Sequence, residues 1–279
     1  MIPPSLKPSQ TGPEILENNG ERMVPEVSGW TTVWEHVYRY AFACHFVKGK
    51  RVLDIACGEG YGGATLRKAC AASVIGVDIS ENVCLHARKK YGLDARPGSA
   101  ENIPLAEASV DVVVSFETIE HVREPGRFLD ECARTLAPGG RLVISTPNKK
   151  VYSRPGEAPN PHHCSEMTLE EFNSALRARF CRVRWYTQRP YSAAWWSLRT
   201  LASDITPRIP GFARLRESAR FRLFPKAVRG PTPEQRRLVV EEILGASRGF
   251  TSPLNPYAVR PLRKWTLEKP TYFIAVATR

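Results

Sequence analysis

No stretch of this chain approaches the 18 or so uninterrupted apolar residues that a membrane span requires. The N-terminal "MIPPSLKPSQTGPEILENNG" also lacks the apolar core of a signal peptide. Together these absences predict a cytoplasmic protein without a span. The seven cysteines form no CxxC pair and no zinc-finger spacing, which argues against a thiolate metal site and a disulfide framework. They read as reduced thiols, with Cys57, Cys70 and Cys84 standing where any small buried apolar residue would serve. No segment repeats. Acidic residues are scarce only in the last third: residues 181–279 hold 19 Lys and Arg against 6 Asp and Glu, while residues 1–180 hold 21 against 22. The net charge of +12 therefore belongs to the C-terminal third. It suits an anionic partner, such as a phosphorylated substrate, a lipid surface or nucleic acid, or else an Arg-rich solvated face.

What is present is patterned. A hydrophobic content of 42% supports a substantial core. In "TTVWEHVYRYAFACHFV", Val33, Trp34, Val37, Tyr38 and Ala41 recur at helical spacing and predict an amphipathic helix over Thr31–Val47. Strand-like "GKRVLDIA", "SVIGVD", a short run at Asp94–Arg96, "VDVVVSFE" and "PGGRLVISTPN" then alternate with helical "GGATLRKACA", "ENVCLHARKKYG" and "PGRFLDECARTLA". Such alternation predicts a doubly wound, mostly parallel sheet with helices on both faces and a ligand at the carboxyl ends of the strands. "TLEEFNSALRARF" follows as a helix with a capping box, Thr168 with Glu171. "CRVRWYTQ" and "TYFIAVAT" read as the last two of seven strands. About 80 residues separate them, far beyond an ordinary loop. The expected organisation is an arm (1–30), an α/β core (31–187), a basic helical insertion or lid (188–268) and a final core strand (269–279). The insertion carries Trp195, Trp196 and Leu198 and a well-marked helix from Thr232 and Pro233 to Gly245.

The glycine turn of "VLDIACGEGYGGATL" satisfies GxGxxG at Gly58, Gly60 and Gly63, with Asp78 ending the next strand. By itself the pattern fits a dinucleotide site. Glu59 between the glycines and Asp54 at the strand end would oppose a pyrophosphate, however, and no Lys-Ser or Lys-Thr follows to make a P-loop. An acidic turn suits a ligand with positive charge and no phosphate, as S-adenosylmethionine is. In order and spacing, "VLDIACGEGYG", "VIGVDIS", "GSAENIPL", "DVVVSFETIEHV" and "LAPGGRLVISTPN" resemble the motifs of class I S-adenosylmethionine-dependent methyltransferases over roughly residues 50–148. "EHVYRYAFA" and "NPHHCSEMTLEEF" resemble bacterial members of glycan pathways, and quinone-pathway O-methyltransferases are similar too.

The resemblance implies a Rossmann-like fold, S-adenosylmethionine as donor and S-adenosylhomocysteine as product. It implies Gly58 and Gly60 against the methionine moiety, Asp54 toward its ammonium, Asp78 on the ribose hydroxyls and Ile79 against the adenine. The family commonly has Asp where Ser99 stands, so the adenine amino contact would pass to Ser99 or Glu101, with the Ala100 amide reading the ring. Phe116 would line the donor channel, and Arg39 is either a carboxylate contact or a surface residue. His121 is the first candidate general base, its alternatives being a helix cap or a partner of Glu120. His162 and His163 form a second candidate, with His163 the catalytic choice. No carboxylate cluster accompanies that pair in sequence, so no metal ligands are assigned. The expected activity is O-methylation of a sugar or other small polar metabolite, phosphorylated or lipid-linked, with peripheral membrane contact through the basic third. N- or C-methylation, RNA methylation and a non-catalytic binding subunit stand as alternatives; no RNA-binding module and no NPPY-like motif accompany the fourth strand.

Overall fold

The computed structural model describes residue 16 and residues 22–152, 160–191, 257–262 and 269–279. Most of the N-terminal arm and of the basic insertion, including Trp195, Trp196, Leu198 and the helix expected from Thr232 to Gly245, lies outside the described residues.

Helix α1 spans Trp30–Ala43, and a 3-10 turn at Cys44–Phe46 replaces the last turn expected of it. Then follow β1 (Arg51–Ile55), α2 (Tyr61–Lys68), β2 (Ser73–Asp78), α3 (Glu81–Tyr91), β3 (Asp94–Pro97), β4 (Val110–Phe116), α4 (Pro125–Thr135) and β5 (Leu136–Pro147). The chain continues through α5 (Lys149–Tyr152), α6 (Leu169–Arg177), β6 (Arg182–Tyr191), β7 (Arg260–Pro261) and β8 (Lys269–Thr278). Local chemistry sets several ends. Gly92, in the left-handed region at φ 59°, closes α3. Pro125 opens α4. Thr168 and Glu171 form both halves of the expected capping box on α6.

The sheet has the order β3-β2-β1-β4-β5-β8-β6-β7. Its first five strands are mutually parallel, and β8 runs antiparallel between β5 and β6. Among the described residues eight strands stand where seven were expected. The addition is β7, two residues that pair with Tyr186 and Thr187 of β6. A two-residue strand ending in Pro carries no alternation to read, and an edge is where sheets tolerate Pro. Strand β6 also runs to Tyr191, past the expected core boundary at 187.

Alternation along the strands builds two cores. Val52, Val112 and Val114 pack with Val37, Tyr40, Leu66 and Cys84 under α1, α2 and α3. Leu53, Ile55, Val113 and Ile144 pack with Phe128, Leu129, Phe172 and Leu176 under α4 and α6. Cys57 and Cys84 are buried as expected, but Cys70 is exposed, because it belongs to the turn after α2 and adopts φ 63°. None of the seven cysteines is disulfide-bonded. Among the described residues no helix is long and apolar enough to cross a membrane.

Candidate functional site

The carboxyl ends of β1, β2, β4 and β5 share one edge of the sheet, and the chemistry-bearing residues gather there. Gly58 (φ 53°) and Gly60 (φ 98°) hold the turn after β1 in the left-handed region. A Cβ at Gly60 would lie 2.7 Å from the Cβ of Ala87, so this glycine also lets the turn rest on α3. Gly58 is less crowded: its nearest neighbour would be Arg22 Cγ at 3.7 Å. Asp78 closes the turn from β2. Its Oδ2 accepts from the Gly58 amide and its Oδ1 from the Ser80 amide, each at 3.0 Å. Ser80 is the N-cap of α3 by position, but its side chain makes no capping bond. Ile79 follows with 82% of its surface exposed, an apolar side chain left uncovered.

Asp54 is fully buried. Tyr40 from α1 donates to its Oδ1 at 2.9 Å, while its Oδ2 has no hydrogen-bond partner. Burial pushes its carboxyl up to about 7; the Tyr40 bond and the Gly63 backbone amide oppose the shift and nearby Asp78 adds to it. Tyr40 also meets Phe116 edge-on at 5.0 Å. A Cβ at Gly62 would fall 2.0 Å from Tyr40 Cζ, so the first helix reaches the turn only because position 62 is glycine. Neither Tyr40 nor Gly62 was singled out in the sequence: Tyr40 lies beside the apolar stripe of α1, and Gly62 is outside the GxGxxG positions.

Glu59 does not face the opening. It is buried beneath α3, where Lys90 contacts its Oε1, Tyr91 donates to Oε2 at 3.0 Å, and His86 Nε2 lies 3.3 Å from Oε1. Its charge is thus met by Lys90, and the repulsion of a pyrophosphate inferred from its sequence position does not apply. Lys90 also binds Glu26 at 2.6 Å, tying the segment before α1 to the same cluster.

Around β3 two of the expected contacts each have one partner within the chain. Ser99 Oγ accepts from the Glu101 amide at 3.1 Å. Glu101 Oε1 accepts from the Glu124 amide at 2.7 Å, turning the carboxylate toward the start of α4. Ala100 is partly buried against the core. Arg39 is not a surface residue. Fully buried, it donates to Gln188 Oε1 at 3.0 Å, lies 3.5 Å from Glu117 Oε1 and sits 4.6 Å over the Tyr272 ring. Gln188 in turn donates to the Glu35 and Tyr257 carbonyls at 2.9 and 2.8 Å.

The second cluster forms where β4 and β5 end. After Phe116, Glu117 adopts φ 54°, uncommon outside glycine, and turns the chain sharply. Ser145 Oγ donates to its carboxylate at 2.6 Å. Glu120 is 1% exposed, and its Oε2 accepts from Thr146 Oγ1 at 3.2 Å. Burial drives the Glu120 carboxyl well above the usual range, and neighbouring Glu117 pushes the same way. His121 Nδ1 sits 3.0 Å from the His162 carbonyl, and His163 Nδ1 sits 2.7 Å from Glu166 Oε1. The two imidazoles meet edge-on at 4.9 Å, and Tyr152 stacks on His163 at 5.1 Å. One ligand atom each from Glu120, His121 and His163 lies within 4.8 Å of the others. The carboxylate missing beside the paired histidines in sequence thus arrives from the β4 loop. His121 is not the cap of α4, which has no side-chain cap. His162 itself is exposed and contributes its carbonyl.

Residues 53–144 match the family model for a methyltransferase domain. The chain carries a methyltransferase domain. Over 175 residues it is 41% identical to a probable S-adenosylmethionine-dependent methyltransferase of Mycolicibacterium smegmatis, covering 61% of this chain and 66% of that relative. Over 112 residues it is 40% identical to the ubiquinone biosynthesis O-methyltransferase of Caulobacter sp. (strain K31), covering 37% of this chain and 43% of that one. The chain therefore spans just under two thirds of the length of the first relative and less than half of the second. A Thermotoga maritima S-adenosylmethionine-dependent methyltransferase, described as a possible histamine N-methyltransferase, shares the fold with a TM-score of 0.51. That match is 17% identical and covers 89% of this chain and 94% of that one. The matched residues include the carboxyl ends of β1, β2 and β4, where Asp54, Asp78 and Phe116 stand.

Proposed function

We propose that the chain transfers a methyl group from S-adenosylmethionine to a hydroxyl of a sugar or other small polar metabolite, with His121 as general base. The observation that carries this reading is the environment of His121. A carbonyl can only accept, so the bond to the His162 oxygen places the proton on Nδ1 and leaves the lone pair on Nε2. That imidazole stands in the loop after β4, on the ligand-binding edge, five residues beyond Phe116.

The donor cradle fits a sulfonium amino acid joined to adenosine. Asp54 Oδ2, buried and without a hydrogen-bond partner, is the acceptor an ammonium needs. The Asp78 oxygens each take one backbone amide and keep lone pairs for a ribose diol. Exposed Ile79 offers the adenine an apolar surface, and the Ala100 amide and Ser99 lie where the ring would end. Gly58 and Gly60 shape the turn beside the methionine moiety, with Phe116 and Tyr40 as an aromatic wall. Glu101 Oε1 serves the Glu124 amide, and its Oε2 remains as the alternative acceptor for the adenine amino group.

When bound, the donor supplies a methyl carbon activated by an adjacent sulfonium. Alignment of the acceptor along the carbon–sulfur axis contributes about 7–11 kcal/mol to such displacements. His121 takes the acceptor proton at Nε2, a contribution typically worth about 10²–10⁴-fold. His163, fixed through Nδ1 to Glu166, positions the His121 ring. Oxygen as the acceptor atom is supported by the similarity to a ubiquinone biosynthesis O-methyltransferase. The basic C-terminal third suits an acceptor that carries phosphate, and RNA methylation is the reading it would favour instead.

Calorimetry with S-adenosylhomocysteine and NAD, on wild type and Asp78→Ala, tests the donor. Binding of S-adenosylhomocysteine by wild type alone, and of NAD by neither, is expected; NAD binding would overturn the reading. Labelled methyl transfer to phosphorylated sugars and to RNA, at low and high salt, then tests the acceptor.

A further inference from the structure

We propose that Glu120, His121 and His163 form a mononuclear site for a divalent transition ion of the zinc type, placed to face the acceptor. This inference rests on the proposed methyl transfer for its role, though not for the binding itself. Three features carry it.

The first is spacing. Donor atoms bonded to one ion at about 2.0–2.2 Å stand about 3.4 Å apart. The three ligand atoms here already lie within 4.8 Å of one another, so small side-chain rotations bring them onto a common centre.

The second is the support behind each imidazole. Metal-binding histidines almost always engage their other ring nitrogen with a carbonyl or carboxylate, which fixes the tautomer and raises ligand basicity. Both partners are present: the His162 carbonyl behind His121 at 3.0 Å, and Glu166 behind His163 at 2.7 Å. Tyr152 packs on the His163 ring at 5.1 Å.

The third is charge. Buried Glu120 accepts from the neutral Thr146 hydroxyl and is crowded by Glu117, whose carboxylate has the Arg39 guanidinium at 3.5 Å. A cation at the cluster meets that carboxylate. Two nitrogen donors with one oxygen favour zinc or a similar ion over magnesium or calcium, which prefer all-oxygen shells. Three protein ligands leave a position open, as catalytic zinc sites do.

With an ion bound, His121 serves as a ligand in place of the general-base role that the ion-free imidazole has in the proposed function. The hydroxyl coordinated at the open position then loses its proton to water, as oxygens on such ions do near neutral pH. The oxygen forms its bond to the methyl carbon while the carbon–sulfur bond breaks and its electron pair stays on sulfur.

The test is calorimetric titration of chelator-stripped protein with ZnCl2 and MgCl2, each sample also titrated with S-adenosylhomocysteine. Saturable one-to-one Zn2+ binding by wild type is expected, with no Mg2+ uptake and at least tenfold weaker Zn2+ binding in Glu120→Gln and His163→Gln. Because Cys164 is exposed nearby, the Co2+-loaded wild type should show visible bands without a thiolate charge-transfer band. Absent Zn2+ uptake, equal uptake by both variants, or a thiolate band overturns the site, whatever the donor result. Zn2+ uptake without S-adenosylhomocysteine binding supports the site and sinks the methyltransferase reading instead.

Discussion

The two clusters on this edge of the sheet are built differently. The donor cradle comes from short contiguous runs: Asp54 to Gly63 hold one turn, Asp78 and Ile79 the next, and their contacts are backbone amides and glycine conformations. The histidine cluster draws on Glu117 to His121, Ser145 and Thr146, and His162 to Glu166, where side chains from three loops meet and the Cys164 and Ser165 amides bond the Glu120 carbonyl. Behind it, Arg39 links α1 to β6 and β8 across long sequence separations. A site made of backbone leaves a legible signature, because glycine and the strand-ending acid have few substitutes. A site made of side chains meeting across loops does not. That contrast matches the division of labour proposed here, a donor end shared by the family and an acceptor end particular to the chain.

The strongest way to break the comparison is His121→Ala. It should lower kcat by about 10²–10⁴-fold while leaving S-adenosylhomocysteine affinity unchanged. A matching loss of affinity in calorimetry would show that the two clusters are one site. Asp78→Ala should do the reverse, weakening S-adenosylhomocysteine by roughly 10–100-fold, since two backbone amides lose their charged acceptor along with the ribose contact. Unchanged affinity would remove Asp78 from the cradle.

A pH series sharpens the donor side. Asp54 has its pKa raised to about 7 in the fold by burial, so the folded protein holds this proton above the ordinary carboxylate range. Its contribution to stability is therefore full below that range and lost as pH rises through 7. Donor affinity runs the opposite way, because the ammonium needs the carboxylate. S-adenosylhomocysteine should bind about tenfold tighter at pH 8 than at pH 6, and Asp54→Asn should flatten both slopes. A flat wild-type profile would contradict the buried-carboxylate account. The smallest effect belongs to neither cluster. Thr168→Ala removes the capping box of α6 and should cost about 1 kcal/mol, seen as a lower melting temperature with donor affinity intact.

Much of the fold was legible in residues 50–148. Strand alternation, the glycine turn, the closing Gly92 and the Thr168 box all act within a few residues of themselves. The exceptions are instructive. Glu59 looked like a charge facing the ligand, yet the turn rotates it under α3 onto Lys90. Arg39 fitted a helix surface, yet it is buried among Glu117, Gln188 and Tyr272, whose positions no local pattern announces. Two-residue β7 carries too little sequence to show a period.

By itself, then, the sequence determined the order of strands and helices, the parallel sheet and the edge where a donor sits, because those follow from side-chain periodicity and backbone conformation along one stretch of chain. Only the tertiary structure decided that Tyr40 reaches Asp54 over Gly62, and that Glu120 meets His121 and His163. Those meetings depend on which loops share an edge and how far each side chain reaches, quantities that exist only once the strands have paired.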